Sequence, residues 1–386
     1  MMELLLYLYI LIVVYLFFKY SRIRTLYIFS PYILIYLNFI FNDAIPFLFF
    51  YPDVPENIQY TTFTAAIINL SFLFLFRKQA QVPISINLPL SSIELNKKRK
   101  ILLSCFVFFL LWAGVMSGVL INLLRGNNIE DLRRTSEIGV GVIRDIPMLG
   151  IQIIMLVLFL QKTWKCYYKV VAFYSFCLSV FLFLTTGNKG GVLVGVTLFL
   201  LFFHLKKRGF KWYEYVLYYL AMPLAAGTLQ GIRGGDLTLI ASQIAVFFSY
   251  PVILYQANSI PIMNAVGTEN FFWGEEYYTG LVKFIPRFLW PDKPLSFDYK
   301  LKELANYDFE GGGIYTTLCN DLYINFGYYY FIFYILWLLF IHYLYGMVMD
   351  DKRFYYSRII ALFIILMGGL HLLLALVKSY YYFSCS

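Results

Sequence analysis

Ten apolar runs dominate the hydrophobic pattern of the chain, and charged residues cluster between them. An apolar run of about 20 residues is typical of a helix that crosses a membrane. In lipid, only helices and closed barrels satisfy the backbone polar groups. We therefore predict an all-α fold, a polytopic transmembrane helical bundle of about ten spans. With soft edges, the predicted spans are residues 4–18, 25–41, 58–76, 101–123, 147–161, 168–186, 190–205, 213–229, 322–345 and 359–377.

An eleventh apolar segment, residues 237–255, is long enough to cross the membrane. A crossing here would place every later loop on the side opposite to the one that ten spans predict. If it crossed, the basic cluster at 350–358 would move to the side opposite the other basic clusters. We therefore predict a re-entrant or interfacial helix, buried in protein or lying against the bilayer. The alternative is a true span that is paired with another, weaker span.

The composition agrees with a single integral membrane domain over residues 1–386. Hydrophobic residues make up 61% and charged residues 14% of the 386 positions, whereas soluble domains have roughly 45–50% and about 25%. This excludes cytosolic enzymes and secreted modules. The five cysteines are scattered without a CxxC pair, so neither a disulfide framework nor a zinc site is indicated.

The distribution of the net charge of +9 predicts the orientation. Lys and Arg concentrate in the cytoplasmic loops of membrane proteins. With the N-terminus outside, 19 of the 31 Lys and Arg residues lie inside, but only 4 of the 22 Asp and Glu residues. The inside then carries +15 and the outside −6. The excess of Lys and Arg on the inner side is explained by the orientation of the protein in the membrane. The net positive charge therefore does not indicate a nucleic-acid partner.

Residues 230–321 form the largest predicted outer region, and their composition suggests a packed cap rather than a linker. The region combines Trp273 and Trp290 with the paired acids Glu275 and Glu276. Aromatic faces beside carboxylates suit sugars. The alternative is that these aromatic residues belong to the belt at the membrane interface.

Two glycine-flanked cations lie at predicted outer helix ends. Lys189 lies in the predicted hairpin GNKGG (187–191), before a helix whose N-terminus faces outward. Together, the helix N-terminus and the lysine predict an anion-binding site. A simple turn with a snorkelling lysine is equally open. Arg233 stands in GIRGGD (231–236), where its guanidinium can hold a phosphate by two parallel hydrogen bonds. The alternatives are an Arg233–Asp236 ion pair and an Asp236 helix cap.

A third basic motif is the segment IPRFLWPDKP, residues 285–294. Its prolines restrict the backbone to an extended path, which can present Arg287, Asp292 and Lys293 in set directions beside Trp290. Weaker candidates are Arg133 and Arg134, which alternate with acids as in a solvated amphipathic helix. His371 is another, and it either faces the outer cavity or is structural. No metal-binding motif is apparent.

The ten spans, the GNKGG and GIRGGD motifs, and IPRFLWPDKP in a large outer loop together resemble the O-antigen polymerase (Wzy) family. The Pro-Arg-x-x-Trp-Pro-x-Lys-Pro stretch is the most specific part of this resemblance. Lys189 departs from the arginine that would be expected in its place. The resemblance implies a multi-pass protein of the bacterial inner membrane that acts on the periplasmic face.

The resemblance also implies a metal-independent glycosyltransferase without a cofactor. Its substrates would be undecaprenyl-diphosphate-linked oligosaccharides, reached through the membrane lipid, with a chain-length regulator protein as an open further partner. Cations must hold the leaving diphosphate as its negative charge grows. We therefore assign catalysis to Arg233 and Arg287, with Asp236 or Asp292 as the general base. The substrate-binding candidates are Lys189, Lys293, Trp290, Arg133, Arg134 and His371.

Two other functions remain open. A lipid-linked oligosaccharide flippase or other transporter would often show internal repeats and polar breaks at mid-membrane, and neither is visible in the sequence. An O-antigen ligase would share the topology and the leaving group with a polymerase, so sequence physics separates these two poorly.

Overall fold

A computed structural model gives the structure of the protein. It describes residues 2–21, 35–36, 38–76, 252, 255–282, 285, 289–290, 292–294, 297–307 and 316–349. All of them belong to one compact unit of the chain, which comprises residues 1–86, 210–213 and 246–386. A second unit, residues 87–209 and 214–245, lies outside the described residues. The single membrane domain over 1–386 stays a prediction.

The described part of the chain is helical and contains no strand, which agrees with the predicted all-α class. A π-helical turn precedes α2 (Ile40–Ala44) and another precedes α4 (Tyr255–Ser259), and a 3-10 turn (Gly327–Tyr329) joins α7 to α8. The helices are α1 (Met2–Ser21), α2 (Ile45–Phe50), α3 (Glu56–Leu75), α4 (Ile260–Val266), α5 (Glu275–Val282), α6 (Phe297–Leu304), α7 (Leu318–Phe326) and α8 (Tyr330–Met349).

Two segments of the described chain are long and apolar enough to cross a membrane, Glu56–Leu75 and Leu318–Met347. They coincide with the runs predicted at 58–76 and 322–345, and α1 coincides with the run at 4–18. The helical prediction for these three runs is confirmed. The six predicted spans between 101 and 229 and at 359–377 lie outside the described residues, as does most of 237–255, so the count of about ten stays a prediction.

Helices α3 and α8 run side by side in the same direction. Near their N-termini, the Tyr330 hydroxyl donates a hydrogen bond to the Thr61 carbonyl at 2.7 Å. Near their C-termini, the ring centroids of Phe76 and His342 are 4.0 Å apart. If both helices cross a bilayer, they therefore cross it in the same sense, and the chain between them crosses an odd number of times.

Buried polar side chains join α3 to the α7–α8 segment. The Thr61 hydroxyl donates to the Asn320 side-chain oxygen at 3.1 Å, and the Tyr334 hydroxyl donates to the Asn69 side-chain oxygen at 2.9 Å. These four residues are almost completely buried. Because a buried polar group is costly without a partner, these pairs favour one register between the helices.

The structure shortens the first predicted outer loop. The sequence pattern ends the second apolar run at residue 41, but helical structure continues through the π-helical turn Ile40–Ala44 and through α2 to Phe50. The segment Ile45–Phe50 is wholly apolar and contains Pro46, directly after the π-helical turn. Only residues 51–55 connect it to α3.

The described part of the large predicted outer region folds into α4, α5 and α6. Its last helix, α7, begins at Leu318 instead of at the predicted residue 322. The cause is an N-cap, since the Thr317 side chain accepts a hydrogen bond from the Asn320 backbone N–H at 3.4 Å. The cap lies outside the apolar run from which the boundary was predicted.

The turn between α7 and α8 depends on Gly327, whose φ is +57°. A Cβ at this position would lie 2.6 Å from the ring of Phe271. The left-handed backbone alone costs an L-residue about 1–2 kcal/mol, and overpacking typically adds about 1–3 kcal/mol. We expect Gly327→Ala to lower the free energy of unfolding by about 2–5 kcal/mol, measured by denaturant unfolding in detergent.

Gly280→Ala in α5 is the matched control. No described atom lies within 4 Å of the position its Cβ would take, and alanine stabilises a helix interior over glycine by about 0.5–1 kcal/mol. Equal unfolding of the Gly327→Ala protein and the wild type would contradict the close contact with Phe271.

Candidate functional site

Segments far apart in the sequence meet around the N-terminal ends of α3 and α8. We call this assembly the cap; it consists of residues 40–57 and the described residues of 255–307 and 316–329. The Asn57 side-chain amide donates to the carbonyls of Met263 and Gly267 at 2.6 and 3.2 Å. The Tyr323 hydroxyl donates to the same Gly267 carbonyl at 3.2 Å. The described residues of both predicted outer segments, 42–57 and 230–321, therefore lie at one end of the helix pair.

Aromatic rings fill the centre of the cap. The Tyr323 ring meets those of Phe271 and Tyr328 edge-on, with centroids 5.5 and 5.8 Å apart. Tyr60 at the start of α3 meets Tyr328 and Tyr330 in the same manner, at 5.4 and 5.7 Å. Edge-to-face pairs at these distances each add about 0.5–1.5 kcal/mol beyond burial. The rings thus fix the start of α8 against the start of α3.

Three of the predicted site residues, Trp290, Asp292 and Lys293, lie together in the turn between α5 and α6. The Lys293 backbone N–H donates to the Trp290 carbonyl at 3.2 Å, which closes the turn. The Lys293 ammonium donates to the Ile285 carbonyl at 2.9 Å, so it also ties the two ends of the motif together. Asp292 is exposed and Trp290 is half-buried. Asp292 is therefore accessible to solvent, while the Lys293 ammonium is engaged with the backbone of the motif.

A pair of acids at the start of α5 is fixed by neighbouring helices. The Glu275 carboxylate forms an ion pair with the Lys300 ammonium on α6. The Glu276 carboxylate accepts a hydrogen bond from the Asn325 side-chain amide at 2.6 Å, and the Asn325 side-chain oxygen accepts one from the Glu276 backbone N–H at 3.4 Å. Since Asn325 is buried in α7, this reciprocal pair fixes the position of a carboxylate at the surface of the cap.

The structure also reveals a buried carboxyl group that the sequence analysis missed. Asp43 is 2% exposed, and one of its carboxyl oxygens has no hydrogen-bond partner among the described residues. It lines a small cavity, about the size of one water molecule, together with Asn38, Cys319 and Tyr334. Asp43 lies outside both candidate spans. Burial raises the pKa of the Asp43 carboxyl to about 7, while a hydrogen bond with the Thr317 side chain acts in the opposite direction.

A signal for Asp43 was present in the sequence. The dipeptide Asn42–Asp43 interrupts the apolar stretch FIFNDAIPF, and an ionisable residue in such a stretch is a functional-site hypothesis by default. This signal was not recognised because residues 42–57 were predicted to form an outer loop, where an acidic residue is ordinary. The helical continuation to Phe50 is what buries the side chain.

The other predicted site residues lie outside the described residues, so their roles stay predictions. These are Arg233, Arg287, Asp236, Lys189, Arg133, Arg134 and His371. Among the residues that the structure does describe, no group of three or more His, Cys, Asp or Glu side chains could hold a metal ion.

Comparison of the chain with protein-family models, with curated proteins and with solved structures gives no match.

Proposed function

We propose that the protein polymerises oligosaccharide repeat units linked to undecaprenyl diphosphate by glycosyl transfer on the outer face of a bacterial inner membrane. In this proposal, a growing chain on its lipid diphosphate is the donor and a single lipid-linked repeat unit is the acceptor. The bond between the anomeric carbon and the diphosphate oxygen breaks, the acceptor hydroxyl forms the new glycosidic bond, and its proton passes to a base. The leaving diphosphate keeps the electron pair of the broken bond.

The cap is the observation that carries this proposal. It combines fixed carboxylates, exposed aromatic rings and the Trp290–Lys293 turn at one end of two apolar helices. A substrate with a lipid tail, a diphosphate and a sugar chain requires such an arrangement, because the tail stays in the bilayer while the sugars extend beyond it. Arg233 and Arg287 would hold the diphosphate, since such donors act best where charge develops.

The parallel direction of α3 and α8 supports the predicted number of spans between them, taken as odd or even. Five predicted spans lie between them, which is an odd number, as parallel crossing requires. If residues 237–255 also crossed, the number would be even and α8 would oppose α3. The re-entrant interpretation of 237–255 therefore agrees with the geometry of the helix pair, and both predicted outer segments then lie on the same side.

A transporter of lipid-linked oligosaccharide is the second candidate, and Asp43 is the observation in its favour. Buried acids between helices often belong to proton relays in transporters. However, Asp43 lies beside the N-cap region of α7, as its hydrogen bond with Thr317 indicates, whereas transporter sites are typically near the bilayer midplane. The polymerase proposal also uses the charged outer motifs, which transport alone does not require.

Reconstitution tests the proposal directly. Purified protein in lipid vesicles receives one type of lipid-linked repeat unit and no nucleotide sugar, and we expect a ladder of products that differ by one repeat unit. Gel separation after release of the lipid measures the ladder, and empty vesicles serve as the control. Labelled lipid-linked sugar that changes leaflet without a ladder would establish transport instead. In vesicles that also contain lipid A core, transfer of sugars only to that core would establish a ligase instead.

A further inference from the structure

We propose that Trp273 is the centre of a sugar-binding site on the cap, which stacks one face of a neutral or amino pyranose on its indole ring. The identity of that sugar as part of a lipid-linked repeat unit rests on the proposed function. The site itself rests on the geometry of one turn and its surroundings.

Trp273 occupies a backbone position that disfavours its side chain. Trp273 (φ +52°) and Gly274 (φ +85°) are the central residues of a turn in which the Glu275 N–H donates to the Phe272 carbonyl at 3.1 Å. Two positive φ values correspond to a type I′ turn, in which Gly, Asn and Asp dominate. At the other non-glycine residue with positive φ in the described chain, Asn306, the sequence uses a residue that tolerates this conformation.

Packing does not explain the choice of tryptophan. The Trp273 side chain is 67% exposed, and its ring meets Phe271 edge-on with centroids 6.2 Å apart. A large, strained and mostly exposed side chain gains little from folding, whereas such strain is characteristic of binding sites. The indole face is apolar and electron-rich, so it matches the C–H groups on one face of a pyranose ring.

The turn is rigid, as a binding platform requires. The Phe272 N–H donates to the Ile324 carbonyl in α7 at 3.1 Å, and the Phe272 ring packs edge-on against Phe297 in α6 with centroids 4.9 Å apart. A Cβ on Gly274 would lie 3.5 Å from the ring of Phe326, so the turn sits directly on that ring. Preorganisation of this kind lowers the entropic cost of binding.

The neighbouring groups indicate which sugars fit. Glu275 and Glu276 follow the turn directly, and Glu269 and Asn270 precede it on exposed backbone. Lys300 neutralises Glu275, whereas the neutral Asn325 amide leaves the charge of Glu276 in place. Carboxylates only accept hydrogen bonds, so Glu276 and Glu269 suit sugar hydroxyl or ammonium groups and repel carboxylates. The site therefore favours neutral and amino sugars over uronic and sialic acids.

The test uses the full-length protein in lipid nanodiscs, labelled with 5-fluorotryptophan. The probe is the repeat-unit oligosaccharide released from its lipid by mild acid. We expect the fluorine resonance of residue 273, assigned by its loss in Trp273→Gly, to shift on titration with the oligosaccharide. In the extension assay, Trp273→Gly should raise the KM for the acceptor about fivefold to tenfold with unchanged kcat. Its melting temperature should not fall, because glycine adopts positive φ without strain.

Asn306→Gly is the matched control, since it changes the other positive-φ position and should leave the KM unchanged. Equal oligosaccharide affinity in the wild type and Trp273→Gly would overturn the site. The site would also be overturned if brominated lipid quenched the fluorescence of Trp273 and Trp273→Gly left the affinity for the oligosaccharide unchanged. Trp273 would then anchor the protein at the membrane interface.

The failure of the site and the failure of the polymerase proposal give different results. If the wild type builds no ladder but its residue 273 resonance responds to the oligosaccharide, the polymerase proposal fails and the site stands. If both proteins extend chains with equal KM, the site fails and the polymerase proposal stands.

Discussion

Replacement of Arg233 by alanine is expected to slow repeat-unit transfer about 100- to 1,000-fold, because removal of one preorganised donor to a developing anion typically has this effect. In the proposed reaction, the charge on the diphosphate grows as its bond to the sugar breaks, so the loss should fall on kcat more than on KM. The measurement is the initial rate of ladder formation in vesicles at saturating acceptor.

Arg233→Lys separates charge from geometry. Lysine keeps the positive charge but cannot form two parallel hydrogen bonds to one phosphate, so its rate should lie between those of the wild type and the alanine variant. Arg208→Ala is the control, because Arg208 lies between the runs 190–205 and 213–229 on the predicted cytoplasmic side, away from the candidate site. Normal chain growth in a correctly inserted Arg233→Ala protein would remove Arg233 from the catalytic assignment.

The second large effect concerns Asp43, which should make the wild-type protein less stable as the pH rises from about 4 to about 7. The pKa of the folded carboxyl is raised from 3.8 to about 7, so in this window the folded state binds a proton that the unfolded state has released. The contribution of the Asp43 carboxyl to stability is fully present below the pKa that this group has in the unfolded state. It is lost as the pH rises through the pKa that the group has in the folded state. About three pKa units correspond to a loss on the order of 4 kcal/mol.

Asp43→Asn should remove this pH dependence, because the amide resembles the protonated acid but cannot ionise. Thermal unfolding in detergent at several pH values between 4 and 8 measures the effect, and the variant should exceed the wild type in melting temperature near pH 8. The groups around Asp43 are Tyr9, Tyr255, Tyr334 and Cys319. Phenols and thiols ordinarily titrate near 10 and 8.5, so they do not account for a change in this window. If the melting temperatures of the wild type and Asp43→Asn changed with pH in the same way, Asp43 would not be the group that causes the pH dependence.

The sequence predicted those parts of the fold that depend on local composition. The helices at residues 58–76 and 322–345 follow from apolar runs, because the length of a run and the need to satisfy the backbone in lipid leave one regular structure. The boundaries were less accurate where a single side chain decides them. Thr317 starts α7 four residues early by capping it, and a periodicity argument does not contain that information.

The candidate site was less predictable because it is built from contacts between distant residues. Asn57 bonds to carbonyls more than 200 positions away, and Asp43 is buried by helices from both ends of the chain. Hydrophobic periodicity identifies which residues are apolar, but not which segments meet. The strain at Trp273 was also hidden, because propensity alone argues against a tryptophan in the left-handed region.

The pairing of α3 with α8 has a consequence for biosynthesis. The hydrogen bonds between Tyr330 and Thr61 and between Tyr334 and Asn69 join residues 269 and 265 positions apart. Helix α3 therefore leaves the ribosome long before Tyr334, which donates to the Asn69 side chain, has been synthesised. Asn57 can bond to the α4 region earlier, but the bonds of Phe272 to Ile324 and of Glu276 to Asn325 form only when α7 has been made. The chain can be inserted segment by segment, but its cap is completed among the last steps of assembly.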